Sequence, residues 1–304
     1  MQVMQRLLWA LAASAALSAP ARADGPAELW HGFVAATDGV PLAVTDCGSA
    51  TAPGVLLIHG FGQSYLSFKE QFTPALCSRF HLVAFDLRGH GGSGKPWEPA
   101  AYATRERWAD DVKSVIEAQK LDRPLVVGWS FGGTVAVHYV AVHGTGKIRG
   151  LMLVGSGGGI VPAGSMAGGV SPEQLARYGR AAATPDIPGQ IEAAEWSQSI
   201  LAYKTLAPAD TRQLVQASLM LPAYVRVAMR SMPVDNAGLE GKLTLPVRFA
   251  IGAHDATRNV DAHRALAAKL PHASVVVFAD SGHSPFLEEP QAFNKELISM
   301  MEAP

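Results

Sequence analysis

Short runs of consecutive apolar positions recur along the chain. They are Val55–Ile58, His81–Phe85, Leu125–Val127, Leu151–Val154, Val247–Ile251 and Ser274–Phe278. A strand apolar at successive positions is buried on both faces, which happens in a parallel sheet covered by helices on each side. Between the runs, Trp108, Val112, Val115 and Ile116 repeat at helical spacing, and so do Ala262, Leu266 and Leu270. The charged positions from Arg105 to Asp111 read as solvated helix surface. Strands alternating with helices over short links predict a doubly wound α/β sheet.

The rhythm breaks at Gly155-Ser156-Gly157-Gly158-Gly159. From there to about Asn236 no strand pattern occurs, and helix-like pieces over Pro172–Ala183, Gly189–Leu201 and Pro208–Leu219 are separated by prolines. The reading is a core in two parts, residues 24–158 and 236–304, with a helical insertion over 159–235. The first residues differ again. Arg6, the apolar run Leu7–Leu17 and the small-residue close Ala21-Arg22-Ala23 have the form of a secretory signal peptide cleaved after Ala23. The run is shorter than the roughly 20 apolar residues that span a bilayer, so export without a stable membrane anchor is expected.

Composition narrows the function classes. Losing residues 1–23 removes Arg6 and Arg22 and no acidic residue, so the formal charge moves from −1 to −3, with 23 basic against 26 acidic residues. That balance offers no electrostatic footing for nucleic acid or an anionic membrane. At 48% hydrophobic residues the chain can bury a large core. Cys47 and Cys77 are the only cysteines. In an exported chain they invite one disulfide, and composition alone equally allows two small buried thiols.

The chemistry concentrates where an apolar strand runs into Gly128-Trp129-Ser130-Phe131-Gly132-Gly133 and then into a helix-like stretch, Thr134–His143. Gly-x-Ser-x-Gly between a strand and a helix is a nucleophile elbow, in which side chains at either glycine would collide with the reversing backbone. The bland alternative is a tight turn carrying an inert hydroxyl. A serine needs a base, and the base needs an orienting acid. His283, after the last expected strand, and Asp255, after Val247–Ile251, both leave strands at the sheet's carboxyl edge, where functional groups of open α/β sheets collect. The order Ser130, Asp255, His283 suits this architecture. Asp280 and Asp235 are the alternative acids. Backbone N–H groups of Phe61, in His59-Gly60-Phe61-Gly62, and of Phe131 would receive an oxyanion, leaving both rings free to line an apolar pocket. His90 belongs to a turn, while His138, His143, His263 and His272 read as packing or solvent histidines. No H-E-x-x-H, Cys/His cluster, phosphate loop or dinucleotide fingerprint occurs, so neither metal nor cofactor is expected.

Taken in order, His59-Gly60-Phe61-Gly62, Asp86-Leu87-Arg88-Gly89-His90-Gly91-Gly92-Ser93, Gly128–Gly133, Gly252-Ala253-His254-Asp255 and Gly282-His283 resemble the motifs of the α/β-hydrolase superfamily. Lys95-Pro96-Trp97 and Trp108–Val112 look most like its cofactor-free haloperoxidase and esterase branch. The resemblance implies a mostly parallel eight-stranded sheet flanked by helices, with the insertion as a helical cap. It carries nucleophile, acid, base and oxyanion donors onto Ser130, Asp255, His283, Phe61 and Phe131. Serine at the nucleophile position separates the chain from the haloalkane dehalogenase and epoxide hydrolase branches, which use aspartate there. The implied activity is hydrolysis of an ester, thioester or lactone of a small molecule with an apolar part. Amide or C–C bond hydrolysis and perhydrolysis would use the same residues, and a non-catalytic ligand-binding protein could share the fold. In the fold it resembles, the second strand runs antiparallel to the rest. Cys47, after the expected strand Leu42–Asp46, and Cys77, before His81–Phe85, then reach one edge and a disulfide between them is expected.

Overall fold

Strands β1 (Trp30–Ala35), β2 (Pro41–Cys47), β3 (Gly54–Ile58), β4 (His81–Phe85), β5 (Leu125–Trp129), β6 (Gly150–Val154), β7 (Val247–Gly252) and β8 (Ala273–Phe278) form a single sheet in the order β1-β2-β4-β3-β5-β6-β7-β8. The structure is a computed structural model that describes residues 28–160 and 169–303; the expected signal peptide, residues 1–23, lies outside the described residues. Strand β2 runs antiparallel to both of its neighbours, and β3 to β8 are parallel to one another. Every residue of β3, β4, β5 and β6 is buried, as unbroken apolar runs require. Strand β8 departs from that expectation. It is the sheet edge, and Val275, Val276 and Val277 are only half-buried because no strand covers that side.

The helices are α1 (Pro74–Cys77), α2 (Arg105–Ala118), α3 (Phe131–His143), α4 (Pro172–Ala182), α5 (Ile187–Leu201), α6 (Pro208–Leu219), α7 (Ala223–Ala228), α8 (Val260–Ala267), α9 (Pro285–Glu288) and α10 (Pro290–Glu302). Alternation along the strands divides the core in two. Leu56, Ile58, Val126 and Leu153 pack with Trp108, Val112 and Val115 of α2. Leu57, Val127, Met152 and Val154 pack with Phe286, Phe293 and Leu297 of α9 and α10. Helices α4 to α7 occupy the connection between β6 and β7.

One helix surface is not the solvated face its charges suggested. Asp111 is fully buried on α2, where both its carboxylate oxygens accept from buried Arg88, at 2.7 Å from Nε and from Nη2. Arg88 leaves the loop after β4 and also reaches Asp38, at 3.0 Å, and the carbonyl of Ala101, at 2.8 Å. Asp111 lies three residues after Trp108 and one before Val112, on the same buried stripe of the helix. Its charge is tolerated there because the guanidinium fork meets both oxygens.

Cys47, the last residue of β2, is bonded to Cys77, the last of α1, with Cα atoms 5.4 Å apart. Cys47 pairs in register with Leu82 at the start of β4, so the bridge sits at the amino ends of the parallel strands. Both half-cystines are buried in the α10-side core.

Candidate active site

Strand β5 ends at Trp129 and α3 begins at Phe131, so the whole reversal is made at Ser130. Its backbone stands at φ 53° and ψ −113°, outside the ordinary regions for an L-residue. The Ser130 N–H donates to the carbonyl of Val154 at 2.8 Å, and its carbonyl accepts from Ser156 Oγ at 2.7 Å. The glycines are needed on both sides. A Cβ on Gly128 would lie 2.5 Å from the carbonyl oxygen of Gly132, and one on Gly132 would lie 2.2 Å from that of Ile58. The loop after β3 also passes close, since a Cβ on Gly60 would stand 3.3 Å from Ser130 Cβ. The backbone of Phe61 in that loop and of Phe131 at the start of α3 therefore flank the serine.

His283 lies in the loop between β8 and α9. Its Nδ1 is 2.7 Å from Oδ2 of Asp255, and both side chains are buried. The other oxygen, Oδ1, accepts from Thr257 N–H at 2.8 Å, Thr257 Oγ1 at 2.8 Å and Arg258 N–H at 3.1 Å. Burial alone would raise the Asp255 carboxyl, but His283 and the Thr257 donors outweigh it and hold the acid below its ordinary range. An ionised Asp255 accepts from Nδ1–H, which leaves Nε2 as the bare nitrogen on the far side of the ring. Gly155 makes room for that ring, because a Cβ there would be 2.7 Å from Nδ1.

The backbone of His283 is held as firmly as its ring. Its N–H donates to the carbonyl of Leu201, the last residue of α5, at 2.7 Å. Its carbonyl accepts from the indole Nε1 of Trp129 at 2.9 Å. Glu288 ties the same two segments together. One carboxylate oxygen accepts from Gly282 N–H at 2.9 Å, and the other from Tyr203 N–H at 2.7 Å and Lys204 N–H at 3.1 Å. The Tyr203 ring stacks on His254 with centroids 3.6 Å apart, beside Asp255.

Ser130 and His283 line one cleft of about 210 Å³, walled by Trp129 and by Trp196, Ile200 and Leu201 of α5, with Arg258 at its side. Phe61 separates it from a mostly apolar pocket of about 280 Å³ that Phe131, Met229, Met232 and Val234 also line. The two phenyl rings meet edge to face with centroids 6.4 Å apart. A larger groove of about 630 Å³ lies at the opposite end of the sheet, around Gly54, Leu125, Gly150 and Val247 at the amino ends of the strands.

The structure thus brings Asp255 to His283, and His283 to the cleft that Ser130 also lines. It does not bring the alternative acids there. Asp280 is exposed and faces Lys204 at 3.4 Å, and Asp235 accepts from the N–H of Ala237 at 2.8 Å. His138 is a buried histidine bonded to Asn236 at 3.0 Å, and His143 meets Asp110 at 2.9 Å. Thr257, Leu201 and Glu288 are additions that no motif announced. Among the described residues no group of three His, Cys, Asp or Glu side chains is placed to hold a metal ion.

A family model described as "Alpha/beta hydrolase family" matches residues 55–296. The pimeloyl-[acyl-carrier protein] methyl ester esterase of Chromobacterium violaceum is 30% identical over 264 residues, 82% of this chain and 94% of that protein. Among solved structures, a protein assigned as an aryl esterase from Burkholderia cenocepacia superposes with a TM-score of 0.81 at 30% identity, covering 90% of this chain and 99% of the other. The esterase RhEst1 from Rhodococcus sp. ECU1013 superposes with a TM-score of 0.78 at 28% identity, covering 90% and 98%.

Proposed function

This chain belongs to the alpha/beta hydrolase family, and from that premise we propose that it cleaves carboxylic esters, thioesters or lactones through an acyl-enzyme on Ser130. One observation carries the reading: the buried Asp255–His283 pair, 2.7 Å apart, borders the cleft that the elbow serine enters. Nε2 of His283 takes the Ser130 proton as Oγ attacks the substrate carbonyl. The N–H groups of Phe61 and Phe131 receive the oxyanion. Collapse breaks the ester bond, and the imidazolium returns its proton to the leaving alcohol. A water activated by the same nitrogen then releases the acid. Asp255 stays ionised throughout and stabilises the imidazolium. The connection over 159–235 serves as a cap, with α5 as the wall of the cleft. Esterases among the relatives favour an ester over an amide or a C–C bond. We also propose export after cleavage at about Ala23, supported by the pattern of residues 1–23 and by a buried disulfide, which persists in oxidising compartments.

A fluorophosphonate probe tests the reading together with a screen of short acyl esters, thioesters and lactones. Rapid labelling that is lost in Ser130→Ala is expected, with turnover falling by a factor of about 10⁶. Asp255→Asn is expected to lower kcat by about 10⁴, because the imidazole loses the acceptor that sets its tautomer. A Ser130→Ala variant retaining a tenth of wild-type activity removes the serine from the mechanism. Slow labelling of wild type with no turnover of any ester favours a ligand-binding protein on the same fold.

A further inference from the structure

A cation stands in the cleft that the proposed mechanism leaves unused. Arg258 lines the same space as Ser130 and His283, together with the apolar side chains of Trp196, Ile200 and Leu201. It is not a mobile surface arginine. Its Nε donates to the carbonyl of Gly155 at 3.1 Å and its Nη1 to the carbonyl of Thr257 at 2.9 Å. Two carbonyls from different segments fix the plane of the guanidinium, so little side-chain freedom is left to lose on binding. The remaining N–H donors of the fork have no protein acceptor among the described residues. Asp255 is close enough to attract the charge, but its oxygens are committed to His283, to Thr257 and to the backbone N–H of Arg258. Burial outweighs that attraction and holds Arg258 below its ordinary value. The cation is thus without a carboxylate of its own in a cleft where Trp129, Trp196, Ile200 and Leu201 supply much of the wall.

We propose that Arg258 is a specificity residue that receives a carboxylate of the substrate, so that the preferred substrates are short esters bearing a free carboxylate a few bonds from the scissile carbonyl. The proposal rests on the ester-hydrolase reading and deepens it. A carboxylate fits better than a larger oxyanion because it is planar, singly charged and matched by the fork, and the cleft holds only about 210 Å³. Without a partner, a carboxylate would be strongly disfavoured beside Trp129, Ile200 and Leu201. A preference for the charged ester is therefore diagnostic.

The test compares kcat/KM within two matched pairs. Methyl hydrogen succinate against methyl pentanoate places the carboxylate in the acyl part, and acetoxyacetate against propyl acetate places it in the alcohol part. Wild type is expected to prefer the charged member of one pair by about tenfold or more, which equals about 1.4 kcal/mol. Arg258→Gln should reverse that ratio mainly through KM, because the contact is made alike in the bound ester and in its transition state. Arg258→Lys, which keeps the charge but loses the fork, should fall between them. Inhibition of wild type by butanoate and by 1-butanol provides a measurement that needs no variant to fold; butanoate should be the stronger competitor. Neutral esters preferred in both pairs, with butanoate no better than butanol, would overturn the proposal. So would a loss in Arg258→Gln of the same factor on all four esters, since that is what a purely structural tie between Gly155 and Thr257 predicts. If no ester turns over and Ser130 takes no fluorophosphonate, the ester-hydrolase reading itself fails. If esters turn over without regard to charge, only the role of Arg258 fails.

Discussion

Replacing Ser130 by glycine and by alanine should separate backbone strain from catalysis. At φ 53° and ψ −113° the residue lies where a Cβ is crowded by its own backbone. Residues held in such regions carry about 1–3 kcal/mol of strain, sustained by the packing around them. At Ser130 the sustaining contacts are the bonds to Val154 and Ser156 and the close approach of Gly132 to Ile58. Alanine keeps the Cβ and therefore the strain. Glycine releases it but adds freedom to the unfolded chain, normally a loss of about 0.5–1 kcal/mol relative to alanine. Taking about 2 kcal/mol for the strain, Ser130→Gly should be more stable than Ser130→Ala by about 1 kcal/mol, the reverse of the usual order. Equilibrium urea unfolding of the two variants with a common slope measures the difference directly. In thermal melts it should be a shift of about 2–4 °C. Both variants should be inactive in hydrolysis, so the comparison reads structure alone. A glycine variant equal to or less stable than the alanine variant would refute the claim that the elbow stores strain at this residue.

The Cys47–Cys77 bridge closes a separation of 30 residues, and its removal should cost about 3.5 kcal/mol in the chain-entropy model. Because it lies at the amino ends of the strands, the double Cys→Ser variant is expected to lose stability yet hydrolyse esters normally at 25 °C. Two alkylatable thiols in non-reduced exported protein would rule the bridge out. Stability should also fall in mild acid. Burial holds His138 down at about 4, while the unfolded chain takes up its proton near pH 6.5, so stability is full above that pH and about 3 kcal/mol is lost between 6.5 and 4. His59, His90 and His263 are lowered for the same cause and add to the trend. A melting temperature unchanged from pH 7.5 to pH 5 would contradict it.

What was legible in the sequence depended on whether the physics was local. Strands β3 to β7 are buried on both faces and appear as apolar runs. The elbow is legible because its glycines answer to backbone clashes within a few residues of Ser130. Strand β1 gave no such signal. It lies at the sheet edge with Phe33 exposed, and Trp-His-Gly-Phe-Val-Ala has no apolar run. Asp111 was misread as surface although its spacing from Trp108 and Val112 places it on the buried stripe. The misreading came from judging the charge without its partner, and Arg88 is 23 positions away in sequence. Glu288 and Thr257 were illegible for a related reason. Glu288 reaches the N–H groups of Tyr203 and Lys204 across the fold, and Thr257 acts on an Asp255 whose partner His283 is brought up only by folding.

Glu288 has a consequence for how such proteins can be recombined. The helical connection between β6 and β7 looks like an exchangeable part, since the polar ties of α6 and α7 to the core run through single side chains, as from Asp210 to Lys69, from Gln213 to the carbonyl of Leu66 and from Tyr224 to that of Lys95. The end of α5, midway along the connection, is different. Leu201, Tyr203 and Lys204 are bonded through their backbone to His283 and Glu288, on the far side of β7 and β8. These bonds read no side chain at the three positions, so the fastening constrains their spacing, while the side chains are held by separate contacts: Leu201 to the cleft, Tyr203 to His254 and Lys204 to Asp280. A transplant that joins foreign helices upstream of Leu201 inherits the geometry of the base. One that replaces the stretch through Lys204 must bring its own way of fastening His283, so an exchange that spares the base leaves the end of α5 in place.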